Sequence, residues 1–111
     1  MALPFHSKTL EQRWQTLSIY EQLGNVGSEV GRAAARAEQG EDAKRDLALT
    51  RALELLDYTI ADPRWRRRLK EFCRARELLV DTFWGTREYG DTTKKLEKYF
   101  YQFALAAQLR R

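Results

Sequence analysis

The side chains most able to do chemistry crowd into one stretch, Asp62-Pro63-Arg64-Trp65-Arg66-Arg67-Arg68-Leu69-Lys70-Glu71-Phe72-Cys73-Arg74-Ala75-Arg76-Glu77. Six cations (Arg64, Arg66, Arg67, Arg68, Lys70 and Arg74) fall within eleven residues, with Trp65 among them. Such a patch can neutralise phosphates, and an indole can stack on a base. On a helix, Arg64, Arg67 and Arg74 point the same way and form a candidate nucleic-acid face. The same pattern also describes a solvated helix surface laced with acids. Trp65 shares helical spacing with Leu69 and Phe72, which points to core burial rather than stacking. Neither a helix-turn-helix nor a basic-zipper pattern accompanies the cations.

Elsewhere the chemistry is sparse. His6 is the sole histidine, so histidine pairs for a metal are absent, as are the Glu-x-x-His pairs of carboxylate metal bundles. Any nucleophile–histidine couple would have to use His6. Glu54, Asp57, Glu71 and Glu77 have the types for acid–base work, but surface ion pairs account for them more simply. Cys73 is the lone cysteine and lies on an apolar stripe, where a small buried thiol is expected. Neither a phosphate-binding loop nor a dinucleotide fingerprint occurs. The reading assigns no catalytic, cofactor-binding or metal-ligating residues and leans away from an enzyme.

Charge sharpens the picture. The net charge is +4, yet residues 1–61 sum to −2 and residues 62–111 to +6. A basic half favours an anionic partner, either nucleic acid or the acidic face of a protein. The opening residues hold no apolar run suited to a signal peptide, and no stretch is long enough to span a membrane. A cytoplasmic setting without a membrane partner is the expectation.

Four helices position these residues. Residues 1–17 read as an N-terminal arm, with Phe5 and Trp14 packing on the body. Residues 18–111 read as one up-down four-helix bundle domain of the all-α class. Ser18 and Glu21 form a capping box that starts a helix running to about Gln39, with Gly40 as its stop. Its apolar stripe is Ile19, Leu23, Val26, Val30, Ala33 and Ala37. Gly24, Ser28, Gly31 and Ala35 line another side, and glycine within a helix costs ~1 kcal/mol against alanine. Small residues on one face let another backbone approach closely. A second helix spans about Glu41–Ala61, with Leu49, Ala52, Leu53, Leu56 and Ile60 facing inward. Asp62 caps a third, Pro63 opens it, and Gly85 ends it. Its stripe is Trp65, Leu69, Phe72, Cys73, Val80 and Phe83, with Arg76 among them. A loop over Thr86–Asp91 precedes a fourth helix that ends near Leu109.

Arg76 on an apolar stripe calls for a buried partner, because an unpaired interior charge is very costly. A hairpin folded about Asp62 sets Arg76 opposite Asp46, with Glu29 at a similar level. Arg76, Asp46 and Glu29 are therefore the expected polar network and the first place to look for a ligand.

Two families bear comparison. Helical HEPN ribonucleases cut with an arginine followed shortly by histidine, and here no arginine precedes a histidine, so that activity does not carry over. The stretches Gln22-Leu23-Gly24-Asn25-Val26-Gly27-Ser28-Glu29-Val30, Arg51-Ala52-Leu53-Glu54-Leu55-Leu56-Asp57, Asp62-Pro63-Arg64-Trp65 and Lys98-Tyr99-Phe100 resemble a group of small uncharacterised bacterial all-helical proteins. The resemblance implies a bacterial setting and attaches no activity.

Surplus apolar residues decide the expected role. Leu55, Tyr58, Leu78, Tyr101, Leu105 and Leu109 fall off the main stripes, and contiguous patches of that kind mark interfaces. With Gly24, Ser28, Gly31 and Ala35 they form the candidate interface of a protein–protein interaction or assembly module. Its partner is another copy or another protein. The alternative is a basic nucleic-acid-binding accessory protein, and the third reading is a helical-bundle enzyme such as a ribonuclease.

Overall fold

The capping box at Ser18 is formed. The Ser18 hydroxyl accepts from the Glu21 N–H at 3.1 Å, and the Glu21 carboxylate accepts from the Ser18 N–H at 3.1 Å. It starts the helix on which the others assemble. The computed structural model describes residues 8–85 and 90–110. Among them the chain is all-α, with α1 (Lys8–Trp14), α2 (Ile19–Glu38), α3 (Asp42–Ala61), α4 (Leu69–Val80) and α5 (Gly90–Leu109). A 3₁₀ segment, Pro63–Arg68, leads into α4, and a π-helical turn, Asp81–Gly85, leaves it. Five α-helices therefore stand where four were expected, and the additional one, α1, lies in the stretch read as an arm. His6 and most of the Thr86–Asp91 stretch lie outside the described residues.

Gly40 turns the chain from α2 into α3 at φ +71°, a conformation that costs glycine nothing. Helix α2 then packs against α3 on one side and α5 on the other. Leu23, Val26, Val30 and Ala33 are fully buried. The glycines explain the second contact. A Cβ at Gly27 would lie 2.6 Å from the Phe100 Cβ, and one at Gly24 would lie 3.0 Å from the Ala104 Cα. The close approach expected of the small-residue face is thus made by the chain's own α5. It does not extend to the whole face. Gly31 meets nothing within 4 Å, and Ser28 and Ala35 are exposed.

Helix α3 lies between α2 and α4 and is buried on both flanks. Leu49, Ala52, Leu53 and Leu56 are in the core as expected, and so is Leu55 at 6% exposure. Leu55 is therefore not an interface residue, because an inner helix has two apolar faces rather than one. Tyr58 is half-buried against the same core, its hydroxyl 3.2 Å from Glu54.

The expected single helix over residues 63–85 is broken into three pieces. Trp65 takes φ −106°, ψ 20°, so the α-helical phase begins afresh at Leu69. The inward face of α4 becomes Phe72, Ala75 and Leu79, spaced i, i+3, i+7. Leu69 is 40% exposed, while Cys73 and Val80 are half-buried. Arg76 is displaced from the core line by one position.

Gly27→Ala should destabilise the protein by about 1–3 kcal/mol, the usual cost of overpacking. Gly31→Ala should be neutral or stabilise by up to ~1 kcal/mol through helix propensity alone. Urea unfolding of the two variants measures the contrast.

Candidate functional site

A buried amide organises the polar interior. Gln22 sits on the apolar stripe of α2 with no exposed surface. Its Nε2 donates to the Trp14 carbonyl at 2.8 Å and to Asp62 Oδ2 at 3.1 Å, and its Oε1 accepts from Trp65 Nε1 at 2.9 Å. Trp14 Nε1 in turn donates to Thr59 Oγ1 at 3.0 Å. Asp62 is 2% exposed and binds Arg64 Nη2 at 2.7 Å as well as the Arg64 N–H at 3.0 Å. Arg64 Nη2 also donates to the Leu17 carbonyl at 2.9 Å. Burial pushes the Asp62 carboxyl up. The hydrogen bonds from Arg64 and Gln22 and the guanidinium charge outweigh this and hold it below its usual value. The network joins α1, α2 and the α3–α4 junction, and its groups are internally satisfied, the mark of an architectural rather than a catalytic cluster.

The polar network expected around Arg76 is not there. Arg76 pairs with Asp57, Nε to Oδ1 at 2.7 Å, at the surface. The 3₁₀ segment does not run back along α3 as an α-helix would, so the register counted from Asp62 overshoots. Asp46 does serve a buried guanidinium, but that of Arg45, 3% exposed and held by Asp46 at 2.9 Å and Asp42 at 3.2 Å. Asp46 also accepts from Trp84 Nε1 at 2.7 Å. Glu29 pairs with Arg32 along α2 at 2.7 Å.

The cationic stretch divides into engaged and free members. Arg64 is held by Asp62, Arg68 by Glu71 at 2.8 Å, and Arg74 faces Glu77 at 3.6 Å. Arg64 also stacks on Trp65, 4.5 Å from the ring centre. Of the three residues expected to form a nucleic-acid face, only Arg67 therefore lacks an acidic partner among the described residues, a state it shares with Arg66 and Lys70. Arg68 does further work, resting over Phe72 and Phe103 at 5.2 and 5.4 Å and so joining α4 to α5. Tyr99 of α5 donates to the same Glu71. Burial, then the bond to Glu71, raises the Tyr99 hydroxyl pKa well above its usual value. Burial also pushes Glu71 up, but its bonds from Arg68 and Tyr99 prevail and leave it lowered.

The remaining surface with distinctive geometry is the seam between α2 and α5. Because Gly24 and Gly27 carry no side chains, the seam is a groove of about 480 Å³, lined also by Ser28, Glu97, Lys98, Phe100, Tyr101 and Ala104. It continues past Tyr20, Asn25, Ala107 and Gln108. Beside it on α5, Tyr101, Leu105 and Leu109 recur every four residues and are 64, 42 and 77% exposed. Leu78, by contrast, is half-buried on α4, away from this seam. The structure thus brings Gly24, Ser28 and Tyr101 together, with Leu105 and Leu109 continuing the Tyr101 line, and leaves Leu55, Tyr58 and Leu78 elsewhere.

Among the described residues no cluster of metal-ligating side chains occurs, and no helix is long and apolar enough to cross a membrane. No family model, curated protein or solved structure matches the chain.

Two substitutions separate the buried lock from the surface pair. Asp62→Ala should cost about 1–3 kcal/mol, because it leaves a donor of the buried Gln22 amide without its acceptor. Arg76→Met should cost ~1 kcal/mol or less, as befits an exposed pair. The depressed Asp62 pKa also sets a pH window. Its contribution is full above the usual Asp value of about 3.9 and is lost as pH falls through the lower folded value. Chemical denaturation of wild type and Asp62→Asn across acid pH should show the wild type alone losing this increment.

Proposed function

We propose that the protein is an interaction module that self-associates through the α2–α5 face. In this reading α2 to α5 form an up-down four-helix body and α1 is a brace laid on α3. The observation that carries the proposal is the exposed line Tyr101, Leu105 and Leu109 beside a groove floored by glycine. A ridge and a groove on one face suit a two-fold dimer, in which each copy's ridge enters the other's groove. Gly31 continues the glycine line one turn beyond Gly27, and a Cβ there would meet nothing within 4 Å inside the chain. The rim is also self-complementary in charge, since Glu97 and Lys98 both line the groove, so a two-fold axis can set one copy's Glu97 against the other's Lys98. Large exposed apolar side chains in one line favour burial against a partner.

A second reading rests on a separate observation. Arg66 and Arg67 on the 3₁₀ segment and Lys70 at the start of α4 have no acidic partner among the described residues, as a phosphate-contacting surface requires.

Light scattering coupled to size exclusion should give a dimer or larger at micromolar protein, against 13.1 kDa for one chain. Tyr101→Glu with Leu105→Glu should yield a folded monomer, and Gly31→Leu should weaken association without unfolding the chain. A monomer at high concentration overturns the interaction reading. For the second reading, Arg66, Arg67 and Lys70 changed together to Glu should abolish any salt-sensitive retardation of RNA or DNA in a gel. An absence of retardation by the wild type at low salt excludes it.

A further inference from the structure

The opposite flank of α5 carries a different cavity. Here α4 and α5 are joined by side chains, through Glu71 with Tyr99 and through Arg68 over Phe103. Beside these contacts lies an open groove of about 430 Å³, within the size range of small-molecule sites. Its floor is apolar, made by Ala75, Leu78 and Leu96, of which Ala75 and Leu96 are 6 and 5% exposed. One cation stands on each helix, Arg74 on α4 and Lys95 on α5, and Thr92 and Tyr99 line the same space.

The electrostatic balance selects the occupant. Among the described residues Glu71 is the one acid lining the groove, and Arg68 and Tyr99 already bind it, so its charge is neutralised from within. Lys95 has no acidic partner among the described residues, and Arg74 has only the solvent-exposed Glu77 at 3.6 Å. An apolar floor flanked by Lys95 and by Arg74, whose pairing with Glu77 is solvent-exposed and therefore weak, matches a molecule with an apolar body and one anionic end. A cationic molecule would be repelled by Arg74 and Lys95, and a purely hydrophobic one would make no use of either charge. We infer that the α4–α5 groove binds a small amphipathic carboxylate, with its chain along Ala75, Leu78 and Leu96 and its head group between Arg74 and Lys95. The inference is independent of self-association, because Tyr101, Leu105 and the glycine-floored groove lie on the other side of α5.

Decanoate serves as the probe. Titration calorimetry on the full chain should give saturable binding, with a dissociation constant on the order of 0.1 mM for about twelve heavy atoms. Arg74→Glu with Lys95→Glu, both at exposed positions, should weaken it by roughly tenfold or more. Leu78→Trp should block it by filling the floor, and Tyr101→Glu should leave it unchanged. Amide chemical-shift changes should centre on Leu78, Leu96 and Tyr99. Decanol bound as tightly as decanoate overturns the inference, as do an absence of saturable binding, insensitivity to the charge reversals, or shifts centred on the α2–α5 groove. Circular dichroism of each variant separates lost binding from lost fold.

Discussion

A carboxamide without access to water cannot leave its hydrogen bonds unmade, and Gln22 imposes that condition on this molecule. Its partners come from three places: the last residue of α1, the carboxylate that ends α3, and the indole of the 3₁₀ segment. Moving any of them strands a buried polar group at a cost of about 1–3 kcal/mol. The lock therefore fixes how the α3–α4 junction leaves α3. That junction decides which face of α4 turns inward, and α4 in turn presents Glu71 and Arg68 to α5. The geometry of the α4–α5 groove thus depends on one buried side chain at some distance from it.

Much of the architecture is legible in the residues, and the reasons for the misses are physical. The α2 stripe and its capping box follow from spacing and side-chain chemistry, and both are present. The glycines of α2 announced close packing, but sequence alone could not say whether the approaching backbone belongs to this chain or another. Gly24 and Gly27 are met by α5, and Gly31 is not. Helix α4 departs from the phase its spacing predicts because six residues of 3₁₀ helix advance the chain at three residues per turn. Every position counted through them acquires the wrong phase, which is how Arg76 came to look buried. The clue to the Gln22 lock was in plain view, a polar residue on the stripe between Ile19 and Val26. Two of its three partners, Asp62 and Trp65, lie some forty residues away, beyond any local pattern.

The cationic stretch shows how a charge run resolves once side chains have positions. Three of its members, Arg64, Arg68 and Arg74, are committed to acids or aromatic rings, and the arginine–aromatic contacts of Arg68 hold two helices together. Cations near aromatic faces stabilise partly through their stems and planes, so an Arg→Lys exchange there is not conservative.

The tight Gly40 turn has a kinetic meaning. It joins α2 and α3, which pack extensively on one another, so this hairpin forms by closing a very short loop. Helix α5 makes its main contact with α2 only after the intervening α3 and α4 segments have been gathered in. Loop closure before reward slows such a step, so the chain is expected to nucleate on the α2–α3 hairpin and to dock α5 last. The helix that carries one wall of each groove would then also be the first to detach in partial opening, and both surfaces would fray together from its far end.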